Sequence, residues 1–337
     1  MKSHHLLARI LSPALALGLI LLAILGCRST NKKQSPSWAK AKVLAVNEDH
    51  PSKIISDGEA VYFVTGGTVA SQREGTNNIK RISLKDGAVS ILVKGGDLVP
   101  QASLAVDDKY LYWSDGGNIY RVPKQEGASE KIIPNAPQPD EMVLDEQNIY
   151  WLIWTGEGSP PQPIMYASKK GGEAKQLTPP QPPTSGIALD GDFVFFMTGE
   201  GLKKISKAGG AIIDVYKNPQ TTPTLQLQQD PKAFYFCQMN SMGKSFLTTL
   251  DKKNGEVKQL GPVNHTMEFV VSDGWIYYFQ DVAGEGSFGP VALMRVATIG
   301  SYAVVIDRGN AGWVKHLAVD TKQIYFTDIS KVYALPK

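Results

Sequence analysis

The sequence predicts an all-β fold: a seven-bladed β-propeller made of four-stranded blades. One motif occurs seven times with a mean spacing of about 44 residues, and each copy carries two adjacent aromatic residues. The chain also contains 32 glycines and 21 prolines, which favour many turns over long helices. A period of this length with four short strands per unit is typical of a propeller.

Each copy consists of an apolar strand, an Asp and an aromatic pair that begins five residues after that Asp. The seven aspartates are Asp57, Asp107, Asp145, Asp190, Asp230, Asp273 and Asp320. In the second copy the four strands are predicted at Leu104–Val106, Tyr110–Ser114, Asn118–Val122 and Glu130–Ile133. An Asp here can bond backbone N–H groups two residues on and fix the turn. A metal-binding ring of aspartates is the alternative, and we expect the turn role.

The aromatic pairs indicate how the sheets pack. Neighbouring residues of a strand point to opposite faces, so Tyr112 and Trp113 both need burial, one on each side of the sheet. A sheet with one wet face would alternate between apolar and polar residues instead. Blades that each lie between two others satisfy this requirement.

The two ends of the chain predict how the ring closes. The last unit ends at Lys337 after its third strand, and the β-like segment Lys42–Val46 precedes the first unit. We therefore predict that Lys42–Val46 supplies the fourth strand of the seventh blade, which leaves no open sheet edge. The propeller is expected to span residues 42–337.

The N-terminal segment has the features of an export signal. Lys2 and Arg9 precede an apolar run from Ile10 to Leu25, which is shorter than the ~20 residues of a spanning helix. The run ends in Ile24-Leu25-Gly26-Cys27, which resembles the lipobox of bacterial lipoproteins. That resemblance implies a signal peptide at 1–26, acylation of Cys27 and a cell-envelope location with the outer membrane favoured. An uncleaved membrane anchor is the alternative. The polar residues that follow, which lack periodicity, predict a flexible tether at 27–41.

One stretch of the repeat resembles a known propeller family. Tyr112-Trp113-Ser114-Asp115 is similar to the YWTD motif of lipoprotein-receptor ectodomains and of related bacterial propellers. The resemblance covers roughly residues 42–337 and implies architecture rather than a ligand. The receptor modules have six blades, whereas this chain has seven repeats.

Composition and motifs exclude several function classes. The net charge of +3 is too small for a nucleic-acid footprint, and two cysteines cannot form a disulfide scaffold. The sequence contains no HExxH, phosphate loop or GxSxG motif. Cys237 lies in an apolar strand and is expected to be a core residue. We expect no cofactor, no bound metal and a monomeric domain, and an enzyme is not the favoured interpretation.

A small group of residues forms the candidate channel-mouth site. His50, His265 and His316 lie in connections leading into the first strands of units one, six and seven, together with Glu268 and Lys315. Ring closure makes these units neighbours, so the imidazoles could bind a divalent metal or perform acid–base chemistry. Separate surface histidines are the alternative.

Longer connections between the second and third strands form a candidate binding face. These loops, in units one, three, five and six, contain Arg73, Trp154, Glu157, Glu285 and Phe288. Aromatic and Arg side chains are frequent interface anchors, although ordinary loop variation explains the same lengths. Lysines near the outer hairpins, such as Lys124, Lys169 and Lys207, are interpreted either as a basic rim or as solvated, edge-protecting turns.

Two functional hypotheses follow. The first is a lipid-anchored envelope scaffold that binds a protein, peptide or glycan. The second is a propeller enzyme, a metal-assisted lyase or hydrolase, that uses the three histidines at the channel mouth.

Overall fold

In the described part of the chain, every regular element is a strand, and 28 strands form seven four-stranded antiparallel sheets. The computed structural model describes residues 38–66, 77–95, 98, 102–125, 127–153, 159–182, 184–219, 224–240, 242, 244–263, 268–281, 290–300, 302–310 and 316–337. The predicted seven-bladed propeller is confirmed.

The strands follow one another from the innermost to the outermost position of each blade. The first strand, β1, spans Lys42–Val46. Blade 1 contains β2 (Ser52–Ser56), β3 (Ala60–Val64), β4 (Asn78–Ser83) and β5 (Val89–Lys94). Blade 2 contains β6 (Leu104–Val106), β7 (Tyr110–Ser114), β8 (Ile119–Pro123) and β9 (Glu130–Ile133). Blade 3 contains β10 (Pro139–Leu144), β11 (Asn148–Ile153), β12 (Met165–Ser168) and β13 (Lys175–Gln176).

The remaining blades continue this order. Blade 4 contains β14 (Thr184–Asp190), β15 (Phe193–Thr198), β16 (Gly201–Ser206) and β17 (Ile213–Lys217). Blade 5 contains β18 (Thr224–Gln229), β19 (Ala233–Met239), β20 (Ser245–Asp251) and β21 (Val257–Val263). Blade 6 contains β22 (Phe269–Ser272), β23 (Trp275–Asp281), β24 (Pro290–Ala297) and β25 (Val304–Asn310). Blade 7 contains β26 (Leu317–Val319), β27 (Gln323–Thr327) and β28 (Lys331–Pro336).

The first strand closes the ring as predicted. β1 pairs antiparallel with β28, with Lys42 opposite Ala334 and Val46 opposite Lys331. Each innermost strand also contacts the innermost strands of both neighbouring blades, so the seven form a closed circle.

The folded part begins before β1. Trp38 is buried and lies edge-on against Phe326, at a ring-centroid distance of 4.7 Å. The backbone N–H of Lys40 donates to the Asp307 carboxylate at 2.9 Å, which fastens this segment along β25. The last residues of the stretch assigned to the tether therefore pack against blades 6 and 7.

An apolar core fills the interface between neighbouring blades, which we call a seam. The two residues of an aromatic pair pack into the two seams on opposite faces of their blade. Tyr62 belongs to the core between blades 1 and 2, whereas Phe63 belongs to the core between blades 7 and 1. Tyr112 and Trp113 separate in the same way. Burial of both faces, predicted from the adjacent aromatics, is thus realised by the sandwiched blades.

The repeated aspartates fix turns and join blades. Oδ1 of Asp107 accepts hydrogen bonds from the N–H groups of Lys109 and Tyr110, each at 2.9 Å. Its Oδ2 accepts the hydroxyl of Tyr112 at 2.9 Å and forms an ion pair with Lys169 of the next blade. The predicted turn role is confirmed at Asp57, Asp107, Asp145, Asp230 and Asp320, which all accept such backbone bonds.

Lysines that directly follow the third strand of a blade pair with these aspartates across the seams. We call these ion pairs the aspartate belt. Its members are Lys124–Asp57, Lys169–Asp107, Lys207–Asp145, Lys252–Asp190 and Lys337–Asp273. The lysine side chains are only 13–24% exposed, so they form interblade contacts rather than a free basic rim.

Candidate functional site: the central channel

The seven innermost strands surround a central cavity of about 730 Å³. Residues from all seven strands or from the positions just before them line it, including Lys53, Ser103, Glu141, Ser185, Gln226, Glu268 and His316. The belt lies where the innermost strands end, and these polar residues lie where the strands begin. We call the two ends of the propeller the turn end and the ring end.

The polar residues occupy equivalent places in the repeat. Four residues before each repeated Asp stand Lys53, Ser103, Glu141, Gly186, Gln226, Phe269 and His316. One position earlier stand Asp140, Ser185 and Glu268 in blades 3, 4 and 6. We call these ten residues the channel ring.

Backbone irregularities shape the channel ring. In β2, β10, β14 and β18 the pairing register shifts at this place, as in a β-bulge. Lys53 and Gln226 have positive φ angles of 41° and 54°, an uncommon conformation for residues other than glycine. Gly186 is required by close packing, because a Cβ there would lie 2.4 Å from the backbone nitrogen of Leu227. Bulges often re-aim side chains next to functional sites.

Glu268 and His316 form a carboxylate–imidazole pair. The His316 Nδ1 lies 2.8 Å from Glu268 Oε2, and the backbone N–H of Leu317 donates to Glu268 Oε1 at 2.9 Å. An ionised carboxylate only accepts hydrogen bonds, so the proton of this contact resides on Nδ1. Nε2 of His316 is then the ring nitrogen that can accept a hydrogen bond from a ligand. The exposed fractions are 19% for His316 and 28% for Glu268.

Other ring side chains also bond to the next blade. Gln226 Nε2 donates to the Phe269 carbonyl at 3.0 Å, and Gln226 Oε1 accepts the Phe269 N–H at 2.8 Å. Glu141 accepts a hydrogen bond from the backbone N–H of Ile187. The ring therefore joins the blades and holds its polar groups in fixed positions.

Glu141, a member of the channel ring, has a pKa well above its ordinary value. Burial raises the pKa of Glu141 to about 7, the nearby Lys53 ammonium opposes this rise, and Asp140 adds to it. The protein environment disfavours a charged carboxylate here because it replaces much of its hydration. Near neutral pH, Glu141 can therefore exchange a proton.

The structure describes three of the five predicted channel-mouth residues: His50, Glu268 and His316. Glu268 and His316 come together in the channel, whereas His50 pairs with Asp49 at 2.7 Å and is not among the described residues that line the cavity. His265 and Lys315 lie outside the described residues. Among the residues that the structure describes, no three His, Cys, Asp or Glu side chains come close enough to bind a metal.

Several other predicted sites also lie outside the described residues: Cys27, Arg73, Trp154, Glu157, Glu285 and Phe288. Cys237 is a buried free thiol, and burial raises its pKa to about 11. Within the described ranges, no helix is long and apolar enough to span a bilayer.

Lys53, Asp140, Glu141, Ser185 and Gln226 were not singled out from the sequence. The register of the repeat could have identified them, because they stand four or five residues before the repeated Asp. Aligning the seven copies there shows Lys, Ser, Glu, Gly, Gln, Phe and His where a purely structural position would be uniform.

Comparison with solved structures places the chain among propellers. It is similar to an oligogalacturonate lyase in complex with manganese, with 16% identity over 90% of this chain and 94% of that one, at a TM-score of 0.68. An oligogalacturonate lyase from Vibrio parahaemolyticus is 11% identical over the same shares, at a TM-score of 0.67. The computationally designed Ika8 protein is 10% identical over 85% of this chain and 83% of that one, at 0.55.

At these identities the likeness shows the fold alone. No protein-family model matches the sequence, and no curated protein sequence is similar to it.

Proposed function

We propose that this chain is a lipid-anchored protein of the cell envelope that binds a short glycan at the channel ring. The observation that carries the proposal is the ring itself, because eight of its ten residues line the cavity and supply carboxylate, amide, imidazole, ammonium and hydroxyl groups. A cavity of about 730 Å³ falls within the range of small-molecule sites. Sugar hydroxyls both donate and accept hydrogen bonds, so they suit such mixed groups.

The fixed geometry of the ring prepares its polar groups for a ligand. Glu268 accepts two hydrogen bonds and Gln226 makes two, all to the neighbouring blade. Groups held in this way lose little side-chain entropy when a ligand arrives. A protein or a peptide is the other kind of ligand that such a binding scaffold would take.

Binding is tested by saturation-transfer NMR with a panel of envelope glycan fragments. A bound fragment should lose at least tenfold in affinity in Lys53→Met and in His316→Gln. Lys85→Gln, an exposed lysine in an outer hairpin, is the matched control and should bind like the parent. No bound fragment, or binding that both ring variants retain, would contradict the proposal.

The envelope anchor follows from the resemblance of Ile24–Cys27 to a lipobox and from the polar stretch after it. Two or more acyl chains anchor a protein stably, because each buried methylene contributes about 0.8 kcal/mol. In bacteria fed an alkyne-labelled fatty acid, the parent should carry the label in the outer-membrane fraction and Cys27→Ser should not. A labelled Cys27→Ser chain, or an unlabelled parent, would overturn the anchor.

An enzyme is the second candidate, and the Glu268–His316 pair favours it. A carboxylate that fixes the imidazole tautomer leaves Nε2 as a base, an arrangement used in acid–base catalysis. The two neighbours named as oligogalacturonate lyases make polyuronides the first substrates to try.

The assay follows unsaturated products and new reducing ends, with and without added divalent metal. Turnover that His316→Gln removes and Lys85→Gln retains would favour the enzyme. Absence of turnover with a bound, intact glycan would favour the binding protein.

A further inference from the structure

One outer hairpin differs from the other five in its chemistry. The connections between third and fourth strands in blades 1 to 5 read LKDGA, KQEGAS, KKGGEA, KAGGAI and KKNGE, and each contains lysine. The corresponding connection in blade 6 reads TIGSYA and contains no charged residue. Thr298 stands where Lys124, Lys169, Lys207 and Lys252 contribute to the aspartate belt.

The apolar side chains of this hairpin face solvent. Ile299 is 86% exposed and Tyr302 is 96% exposed, and Val304 and Val305 follow at 49% and 37%. Pairs of exposed Val and Ile also occur on the outer strands β5 and β17, so Val304 and Val305 are ordinary for this surface. A large aliphatic and an aromatic residue together at a hairpin tip are different, because turn tips are normally polar.

An apolar groove lies beside the hairpin. It has a volume of about 610 Å³ and runs between blades 5 and 6, where Leu247, Leu260, Pro262, Tyr278, Gly300 and Tyr302 line it. The groove is also lined by Gln259 and Gln280, and its Leu247 and Tyr278 are buried, so most of the exposed apolar area belongs to the hairpin. The hairpin and the groove meet at Gly300 and Tyr302, and we call them together the blade 6 edge.

The N-terminal segment joins the propeller at this same blade. Lys40 donates from its ammonium to the Ile306 carbonyl at 2.8 Å, and Trp38 packs over Gly309, so residues 38–40 run along β25. Cys27 precedes Trp38 by 11 residues, which reach at most about 40 Å. Gly309 lies near the end of β25 that is distant from the hairpin, so the segment before Trp38 has to return along the strand, which spans about 23 Å. Eleven residues are long enough to do so, and a lipid on Cys27 can then share a bilayer with the hairpin.

We propose that the blade 6 edge is a membrane-contacting surface, with Ile299 and Tyr302 entering the interface of a bilayer; the choice of occupant rests on the proposed lipid anchor. Tyrosine is enriched at the headgroup level, and aliphatic side chains lie deeper. The hairpin belongs to the turn end. Contact there orients the propeller so that the channel ring opens on the side away from the membrane.

The test measures depth with a spin label at Ile299→Cys in the full chain. Cys237 is only 2% exposed and is not expected to react, and the mass of the N-terminal peptide shows whether Cys27 carries lipid or label. Ala208→Cys, in the equivalent hairpin of blade 4, is the matched control because Ala208 is exposed. Both proteins are mixed with vesicles of phosphatidylethanolamine and phosphatidylglycerol.

Oxygen dissolves in the bilayer and a nickel chelate stays in water, so their relaxation effects report depth. We expect an oxygen-to-nickel ratio severalfold higher at position 299 than at position 208. Equal ratios at the two positions would overturn the proposal.

The mass of the N-terminal peptide separates this proposal from the anchor. Unmodified Cys27 with a deep label at 299 would reject the anchor and retain the surface. Lipidated Cys27 with equal ratios would reject the surface and retain the anchor.

Discussion

The turn end and the ring end of the propeller use the same repeat differently. At the turn end an Asp stands in all seven copies, and Asp57, Asp107 and Asp145 each bind a turn, a tyrosine and a lysine of the next blade. At the ring end the equivalent positions hold seven different residue types. The uniform Asp positions hold neighbouring blades together, whereas the varied positions at the ring end determine which side chains line the channel.

Both ends of the propeller exist only when the ring of blades is closed. We therefore expect that preventing closure lowers stability more than any other change. Deleting residues 38–47 removes Trp38 and β1 and leaves β28 as an unpaired edge. We expect no soluble folded protein, measured by circular dichroism and size-exclusion chromatography. Deleting residues 28–36 is the control and should preserve melting. Unchanged melting after the 38–47 deletion would contradict the closure by β1.

A single carboxylate of the belt has the next largest effect. Asp107→Ala leaves the Tyr112 hydroxyl, two turn N–H groups and Lys169 without their acceptor, a loss of about 2–4 kcal/mol of unfolding free energy. Chemical denaturation measures it. Asp86→Ala, an exposed turn Asp in blade 1 that accepts the Ala88 N–H at 3.1 Å, is the control and should lose only a small part of that amount. Equal effects of the two variants would mean that the belt adds little stability.

The belt also predicts acid sensitivity. Burial tends to raise the pKa of Asp107, but the Lys169 ammonium and the N–H donors outweigh it and hold the pKa at about 2. The unfolded chain has the ordinary value near 3.9 and therefore binds its proton first. The stabilisation is present above about pH 4 and is lost as the pH falls towards 2. Asp107→Asn should flatten that part of the stability profile.

At the ring end, Glu141 gives the opposite dependence of stability on pH. Burial raises the pKa of Glu141 to about 7, so the folded state binds the proton more tightly than the unfolded one. Ionising Glu141 therefore costs stability as the pH rises from about 4.5 to 7. Glu141→Gln keeps an acceptor for the Ile187 N–H and should gain about 1–3 kcal/mol at pH 8, with no gain at pH 4. Equal gains at both pH values would contradict this.

The smallest effect is expected at the blade 6 edge. Ile299 is 86% exposed, so Ile299→Ser should change the unfolding free energy by no more than about 0.5 kcal/mol in solution. Thermal melting without vesicles measures it. A large loss would mean that Ile299 supports the fold rather than a contact.

Much of the fold could be read from local spacing. The Asp-to-aromatic interval located all seven blades, and the unassigned segment Lys42–Val46 matched the missing strand. In blade 2 the third strand, predicted at Asn118–Val122, lies at Ile119–Pro123, and the other three have the predicted bounds. Alternating strands and turns leave a local signature in the sequence, which is why these assignments succeed.

Contacts between blades leave no such signature. Lys169 reaches Asp107 because two blades are rotated against each other, and nothing near either residue indicates the partner. The bulges in β2 and β18 depend on how closely neighbouring backbones approach, as Gly186 and Leu227 do. Of the candidate site, the nearness of Glu268 to His316 could be expected from their similar places in the consecutive units 6 and 7, whereas Lys53, Glu141 and Gln226 were not predicted.

The closure by β1 also determines when folding can finish. Lys42 pairs with Ala334, 292 positions later, so this contact has nearly the largest sequence separation available. Long-range pairing forms slowly because a long loop must be ordered first. Six blades can assemble from consecutive strands, but the seventh needs both the beginning and the end of the chain. A chain truncated before Lys331 keeps β1 as an exposed strand edge, a mark by which quality control can distinguish unfinished molecules from complete ones.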